Sequence, residues 1–196
     1  VDLETSGKKP TKAQKEALWK YVGFGGIKEI LYGTYSLNHT DRLRVEKFNE
    51  LVKQLDPDGT KGVLDAVKTS IHNAHYTSID VIKGIYSVIN RAGFKKGNLL
   101  EPSLGTGHFF GALPKQIREN ANLTGVELDY ITGKIASHLY PDANIQITGL
   151  QNAALSSNYF DLIVGNIPFG DISVNDKSLK GLADPVHKVA KSRVHN

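Results

Sequence analysis

Apolar residues in the first half of the chain recur at helical spacing. Ala13, Ala17, Leu18 and Tyr21 follow Thr11, whose hydroxyl can cap a helix start. Gly23, Phe24, Gly25 and Gly26 break that run. Leu43, Val45, Phe48, Leu51, Val52 and Leu55 predict a second helix, with Asp41 as its cap. Asp56-Pro57-Asp58-Gly59 ends it as a turn, since the remaining ligand spacing of a calcium loop is absent. Gly62 to Ser70 predicts a further helix. Another starts at Ser78, carries Val81, Ile82, Ile85, Val88 and Ile89, and stops at Gly93.

From position 97 the period shortens. Asn98 to Glu101, Leu123 to Glu127, Asn144 to Ile147 and Phe160 to Val164 read as short buried strands. Between the first three lie helical stretches, Gly107 to Arg118 (with Pro114 in its middle) and Tyr130 to Leu139. Strand alternating with helix predicts an α/β fold, a doubly wound parallel sheet covered on both sides. The expected organisation is a helical N-terminal lobe over 1–92, an α/β core over 93–170 and a polar tail over 171–196.

Composition narrows the class. The chain has 196 residues, 40% apolar and 22% charged, as in ordinary globular proteins. No apolar run reaches the roughly 18 residues of a membrane span, so no membrane partner is expected. Cysteine is absent, which excludes disulfides, thiolate metal sites and cysteine nucleophiles. No secretory signal opens the chain, so a cytoplasmic location is the expectation. Methionine is absent even at position 1, as in an excerpt of a longer protein. A net charge of +4 and a pI near 9.1 permit a nucleic-acid partner without demanding one.

Three segments carry candidate chemistry. In Glu101-Pro102-Ser103-Leu104-Gly105-Thr106-Gly107 a strand ends, the chain turns on two glycines and a helix begins. Such glycines let backbone approach a ligand, and the helix start offers unpaired N–H groups. Gly111 falls one residue late for the dinucleotide pattern G-x-G-x-x-G, and no Gly-Lys-Ser/Thr of a phosphate loop follows. An acid at the strand end suits a cationic amino acid moiety better than a pyrophosphate. The bland alternative is a tight β–α turn. Glu127 lies 20 residues beyond Gly107, at the tip of the second strand, where a carboxylate can accept both ribose hydroxyls. Its alternative is a helix cap, a role that Asp129 fits well. After the fourth strand comes Gly165-Asn166-Ile167-Pro168-Phe169-Gly170. The Asn166 side-chain oxygen and a backbone carbonyl can accept from an exocyclic amine and aim its lone pair at an electrophilic methyl. Phe169 can stack on the ring that bears the amine. No strong base is needed if the amine loses its proton after attack. The alternative is a polar turn, where Asn and Pro are common.

Together these segments resemble the class I S-adenosyl-L-methionine-dependent methyltransferases that carry an Asn/Asp-Pro-Pro-Tyr/Phe catalytic loop. That resemblance implies a Rossmann-like sheet and S-adenosyl-L-methionine as cofactor. It assigns Glu101, Pro102, Gly105 and Gly107 to the cofactor loop and Glu127 to the ribose. Asn166, Pro168 and Phe169 match the catalytic tetrapeptide, with Ile167 where the family has proline. Tyr76 and Thr77, in Asn73-Ala74-His75-Tyr76-Thr77-Ser78, match the Phe/Tyr-Thr-Pro segment of gamma-type N6-adenine DNA methylases, which contacts the methionine end of the cofactor. Gln151 or Asn152 takes the place of the acid that binds the cofactor adenine. With Tyr21 to Gly26, these motifs are also similar to large phage and conjugative-element proteins that fuse such a domain to a helicase. The implied activity is methylation of adenine N6 in DNA.

Two alternatives stand beside it. Methyltransferases acting on RNA guanine or protein glutamine use a similar tetrapeptide. A non-catalytic cofactor- or DNA-binding module of a helicase-type protein is the other, with Ile167 marking lost catalysis. No metal is expected: His72, His75 and His108 lack a ligand spacing and read as satisfied or solvated histidines. A full sheet of this class has seven strands, of which four are legible. The chain is therefore expected to be completed by a missing C-terminal segment or a partner chain.

Overall fold

The computed structural model describes residues 2–21, 23, 24, 37–73 and 76–167, without the side chains of 69–73. Val22, Gly25, Gly26, Ala74, His75, Pro168, Phe169 and the tail over 171–196 lie outside the described residues.

The longer helices start where side chains satisfy their free N–H groups. Helix α1 spans Asp2–Ser6 and has no counterpart in the sequence reading. Helix α2, Lys12–Trp19, opens on a capping box in which Thr11 and Gln14 satisfy each other's backbone N–H. Helix α3 spans His39–Leu55. Its cap is Asn38 and not Asp41: the Asp41 N–H donates to Asn38 Oδ1 at 2.9 Å, which puts Asp41 inside the first turn. Beyond the turn at 56–60, buried Asp56 accepts from the Lys61 N–H (3.0 Å) and the Val63 N–H (3.1 Å). That carboxylate starts helix α4, Val63–Asn73, which runs three residues past the expected end. Helix α5, Ile79–Arg91, is capped by Ser78 and followed by Gly93 at φ 96°.

Strand β1 spans Gly97–Glu101, β2 Ala121–Glu127, β3 Asn144–Ile147 and β4 Leu162–Ile163. The predicted single helix over 107–118 is two short ones, α6 at His108–Gly111 and α7 at Lys115–Arg118. Pro114, which cannot donate within a helix, sits at the break and becomes the cap residue of α7. Helix α8 spans Tyr130–Leu139 and is capped by Asp129. The fourth strand is shorter than the apolar run around it.

All strand pairs are parallel, in the order β3-β2-β1-β4. This is the 3-2-1-4 order of a Rossmann-like α/β fold. Alternation puts Leu99, Leu123, Ile145, Ile147, Leu162 and Val164 on one face. Ile82 and Tyr86 from α5, Phe109 and Phe110 from α6, and Ala136 from α8 close over Leu99 and Val164 there as one buried core. The other face carries Leu100, Thr124, Val126, Gln146 and Ile163. Here the connection from β3 to β4 crosses: Gln146 exchanges two hydrogen bonds with the Ala154 backbone. β4 ends the described sheet order, and its Ile163 is 62% exposed. No described helix is long and apolar enough to cross a membrane.

The chain divides into two compact units, Val1–Gly165 and Asn166–Asn196. Helix α5 and the sheet share a core within the first. Of the second, only Asn166 and Ile167 are described.

Candidate functional site

At the carboxyl end of β1 the chain turns through Pro102, Ser103 and Leu104 to Gly105 and Gly107, with φ 57° and 82°. Side chains rarely adopt these angles, which fixes glycine at both positions. Gly107 is required a second time by space. A Cβ there would lie 2.9 Å from Tyr140 Cδ2 and closer still to Cε2. The Tyr140 hydroxyl in turn donates to the Gly107 carbonyl at 2.7 Å. The loop is thus pinned from beneath by a ring at the end of α8.

Glu127, at the tip of β2, stands next to this loop. Its Oε2 accepts from the Gly105 N–H and its Oε1 from the Asp129 N–H, both at 2.7 Å. One carboxylate therefore ties the glycine loop to the start of α8. Burial raises its pKa, and the two backbone donors oppose that rise. Glu101 is 2% exposed, and its Oε2 has no hydrogen-bond partner among the described residues. Burial, reinforced by the nearby Glu127 charge, pushes its carboxyl well above the ordinary carboxylate range. Gly165 passes over the same corner, where a Cβ would lie 3.3 Å from Pro102 Cδ and 3.5 Å from Glu101 Cγ.

Tyr76 reaches the loop from the segment ahead of α5. Its Cε1 lies 3.5 Å from where a Gly105 Cβ would stand. Burial and the charges of Glu127 and Asp129 push its hydroxyl up to about 12, against a hydrogen bond with the Thr132 side chain. Thr77 Oγ1 and Thr106 Oγ1 are buried with no hydrogen-bond partner among the described residues. Beyond β3, the Thr148 N–H donates to the Glu127 carbonyl at 2.8 Å. That brings the 3-10 turn Leu150–Asn152 to the same end of the sheet. Gln151 is exposed there and folds back on Gly149.

Tyr76, Glu101, Pro102, Gly105, Gly107 and Glu127 thus share the carboxyl end of β1 and β2, the expected ligand crevice of an open α/β sheet. Asn166 is half-buried and Ile167 is 63% exposed, and both belong to the second unit. Pro168 and Phe169 lie outside the described residues. The described residues hold no group of His, Cys, Asp or Glu suited to a metal ion. A cavity of about 610 Å³ opens at the other end of the sheet, lined by Lys15, Arg118, Asn122, Asn144 and Tyr159, with none of the loop residues.

The sequence pattern set His108 aside as a satisfied or solvated histidine. It is half-buried: its ring packs on Trp19 (centroids 5.1 Å) and on Tyr76 (5.0 Å), and its Nδ1 is buried with no hydrogen-bond partner among the described residues. Burial lowers its pKa, which favours the neutral ring. Its place directly after Gly107 was the available signal.

No family model matches the chain. Over 98 residues it is 34% identical to defense against restriction protein B of Escherichia phage P1. That match covers 49% of this chain and 4% of the phage protein. Among solved structures, a TehB-like S-adenosylmethionine-dependent methyltransferase from Corynebacterium glutamicum is 28% identical, covering 42% of this chain and 44% of that one, with a TM-score of 0.36. A Listeria monocytogenes protein assigned to the class I S-adenosylmethionine-dependent methyltransferases is 13% identical, covering 82% and 55%, with a TM-score of 0.46. The strand order, not these partial overlaps, carries the fold.

Proposed function

We propose that the chain carries the cofactor-binding part of an S-adenosyl-L-methionine-dependent methyltransferase that acts on adenine N6 in DNA. The observation that carries this reading is the joining of the β1 glycine loop to the β2 carboxylate. Gly105 and Glu127 meet at 2.7 Å beside a buried acid, Glu101, with a free oxygen. The short match to a phage protein is consistent with a mobile-element setting.

The residues fit such a cofactor. Its ligands would be two ribose hydroxyls and an amino acid end with a cationic amine. Each Glu127 oxygen accepts one backbone bond and keeps a lone pair for a hydroxyl. Glu101 offers a buried carboxyl to the amine, a pairing that offsets its desolvation. The Thr77 and Thr106 hydroxyls, without partners among the described residues, add polar groups. Gly105 and Gly107 expose backbone where side chains would obstruct. Gln151 is the proposed partner of the adenine ring. When bound, the cofactor supplies an electrophilic methyl on sulfur.

The catalytic assignment rests on sequence. Asn166 would accept the target amine's N–H, Pro168 would stiffen the turn and Phe169 would stack on the base, which must leave the duplex to reach them. The outer edge of β4 would pair with a strand from a further segment or chain.

Transfer of labelled methyl groups from S-adenosylmethionine to DNA, RNA and protein, measured with the full-length protein, tests the reading. Incorporation into DNA as N6-methyladenine, lost in Asn166→Ala while cofactor binding persists, is the expected result. Label in RNA or protein alone would overturn DNA as substrate.

A further inference from the structure

Three rings stand in a row across the glycine loop. Trp19 closes α2, His108 opens α6, and Tyr76 precedes α5. The ring planes are tilted by 49° between Trp19 and His108 and by 45° between His108 and Tyr76. Trp19 has a second constraint. It fills the space beside Gly111, where a Cβ would lie 2.6 Å from its Cζ3 and 2.8 Å from the Tyr140 hydroxyl. Tyr76, at the far end, lies against Gly105 and within the fields of Glu127 and Asp129. The row therefore runs from a helix outside the sheet to the wall of the candidate pocket.

We propose that His108 is the positioning residue of this pocket: it holds Tyr76 over Gly105 by stacking, and through Trp19 it passes ligand occupancy to α2. The inference rests on the cofactor reading for the identity of the ligand. The stack itself does not.

The geometry supports the role in two ways. His108 directly follows Gly107, so its ring moves with the loop that must fit the ligand. Its neighbours come from segments distant in sequence, and a flat ring is what the two contacts share. A ligand resting on Glu127 and the loop would meet Tyr76, and a shift of Tyr76 would reach Trp19 through the imidazole. Tilted pairs of this kind contribute modestly each, so both lost together should weaken binding by about tenfold.

Trp19 is the sole tryptophan of the chain, so its emission reads the stack directly. The 196-residue chain is titrated with S-adenosylhomocysteine, by calorimetry and by Trp19 emission in parallel. In the wild type, emission should change and saturate at the calorimetric midpoint. In His108→Ala, affinity should fall by about tenfold and the emission response should vanish. His108→Phe keeps a flat ring and should restore both, which a loss of folding would not. Acrylamide quenching of Trp19, without ligand, should rise in His108→Ala and return to the wild-type level in His108→Phe. Equal quenching in all three proteins would overturn the stack. Wild-type affinity with an unchanged emission response in His108→Ala would overturn the positioning role. Absence of heat in every protein would remove the cofactor reading, and the transmitted response with it, while quenching still decides the stack.

Discussion

Gly107→Ala tests the loop geometry at its tightest point. The residue sits at φ 82°, and the new methyl would meet the Tyr140 ring, with Cδ2 at 2.9 Å. Two costs follow. The left-handed backbone with a Cβ costs about 1–2 kcal/mol. Pushing the ring aside costs about 1–3 kcal/mol in overpacking. Moving the ring also threatens the hydroxyl bond to the Gly107 carbonyl, which is worth about 1 kcal/mol. A loss of about 3–6 kcal/mol is expected, large against the roughly 5–15 kcal/mol of a typical domain. Urea unfolding of Gly107→Ala, Tyr140→Leu and the double variant separates the terms. With the ring removed, the alanine should cost only its backbone share, so the double variant should be less unstable than the sum of the two single ones. Strict additivity would refute the clash, and wild-type stability of Gly107→Ala would refute the loop geometry altogether.

Glu101→Gln removes a carboxyl whose folded pKa is raised, first by burial and then by Glu127. The sign follows: its favourable share is full below the ordinary value of 4.5 and is lost as pH rises through the folded value, so wild-type stability should decline on that side. Thermal scans should show a flatter decline in the variant, with Glu127, also raised, supplying the remainder. Identical pH profiles would contradict this. Tyr140→Phe deletes the hydroxyl that bonds the Gly107 carbonyl and should cost about 1 kcal/mol in urea unfolding. Asp56→Ala uncaps α4 at the Lys61 and Val63 N–H groups, the second of them buried, and should cost about 1–2 kcal/mol in the same assay.

The sheet was legible in the sequence because its strands are short, apolar and separated by helical stretches and turns. Glu127 was legible for a related reason: spacing from Gly107 places it at a strand tip. What failed was local competition. Pro114 split one expected helix in two, and Asn38 outbid Asp41 as the cap because its side chain stands one turn earlier. His108 escaped because ring stacking joins residues 19, 76 and 108, and no periodicity reports a contact across such distances in sequence. The hydrogen bond between Gly105 and Glu127 could be expected only as proximity, since its donor depends on the turn's backbone direction.

Calorimetry with S-adenosylmethionine, run on the wild-type chain and on Glu127→Ala, tests the central claim most directly. Hydrogen bonds to a charged group are worth about 1.5–3 kcal/mol, so the variant should bind at least roughly tenfold more weakly while circular dichroism shows it folded. One saturable site in the wild type, weakened in this way, is the predicted result. No heat from the wild type at millimolar ligand, or equal affinity in a folded Glu127→Ala, would contradict it.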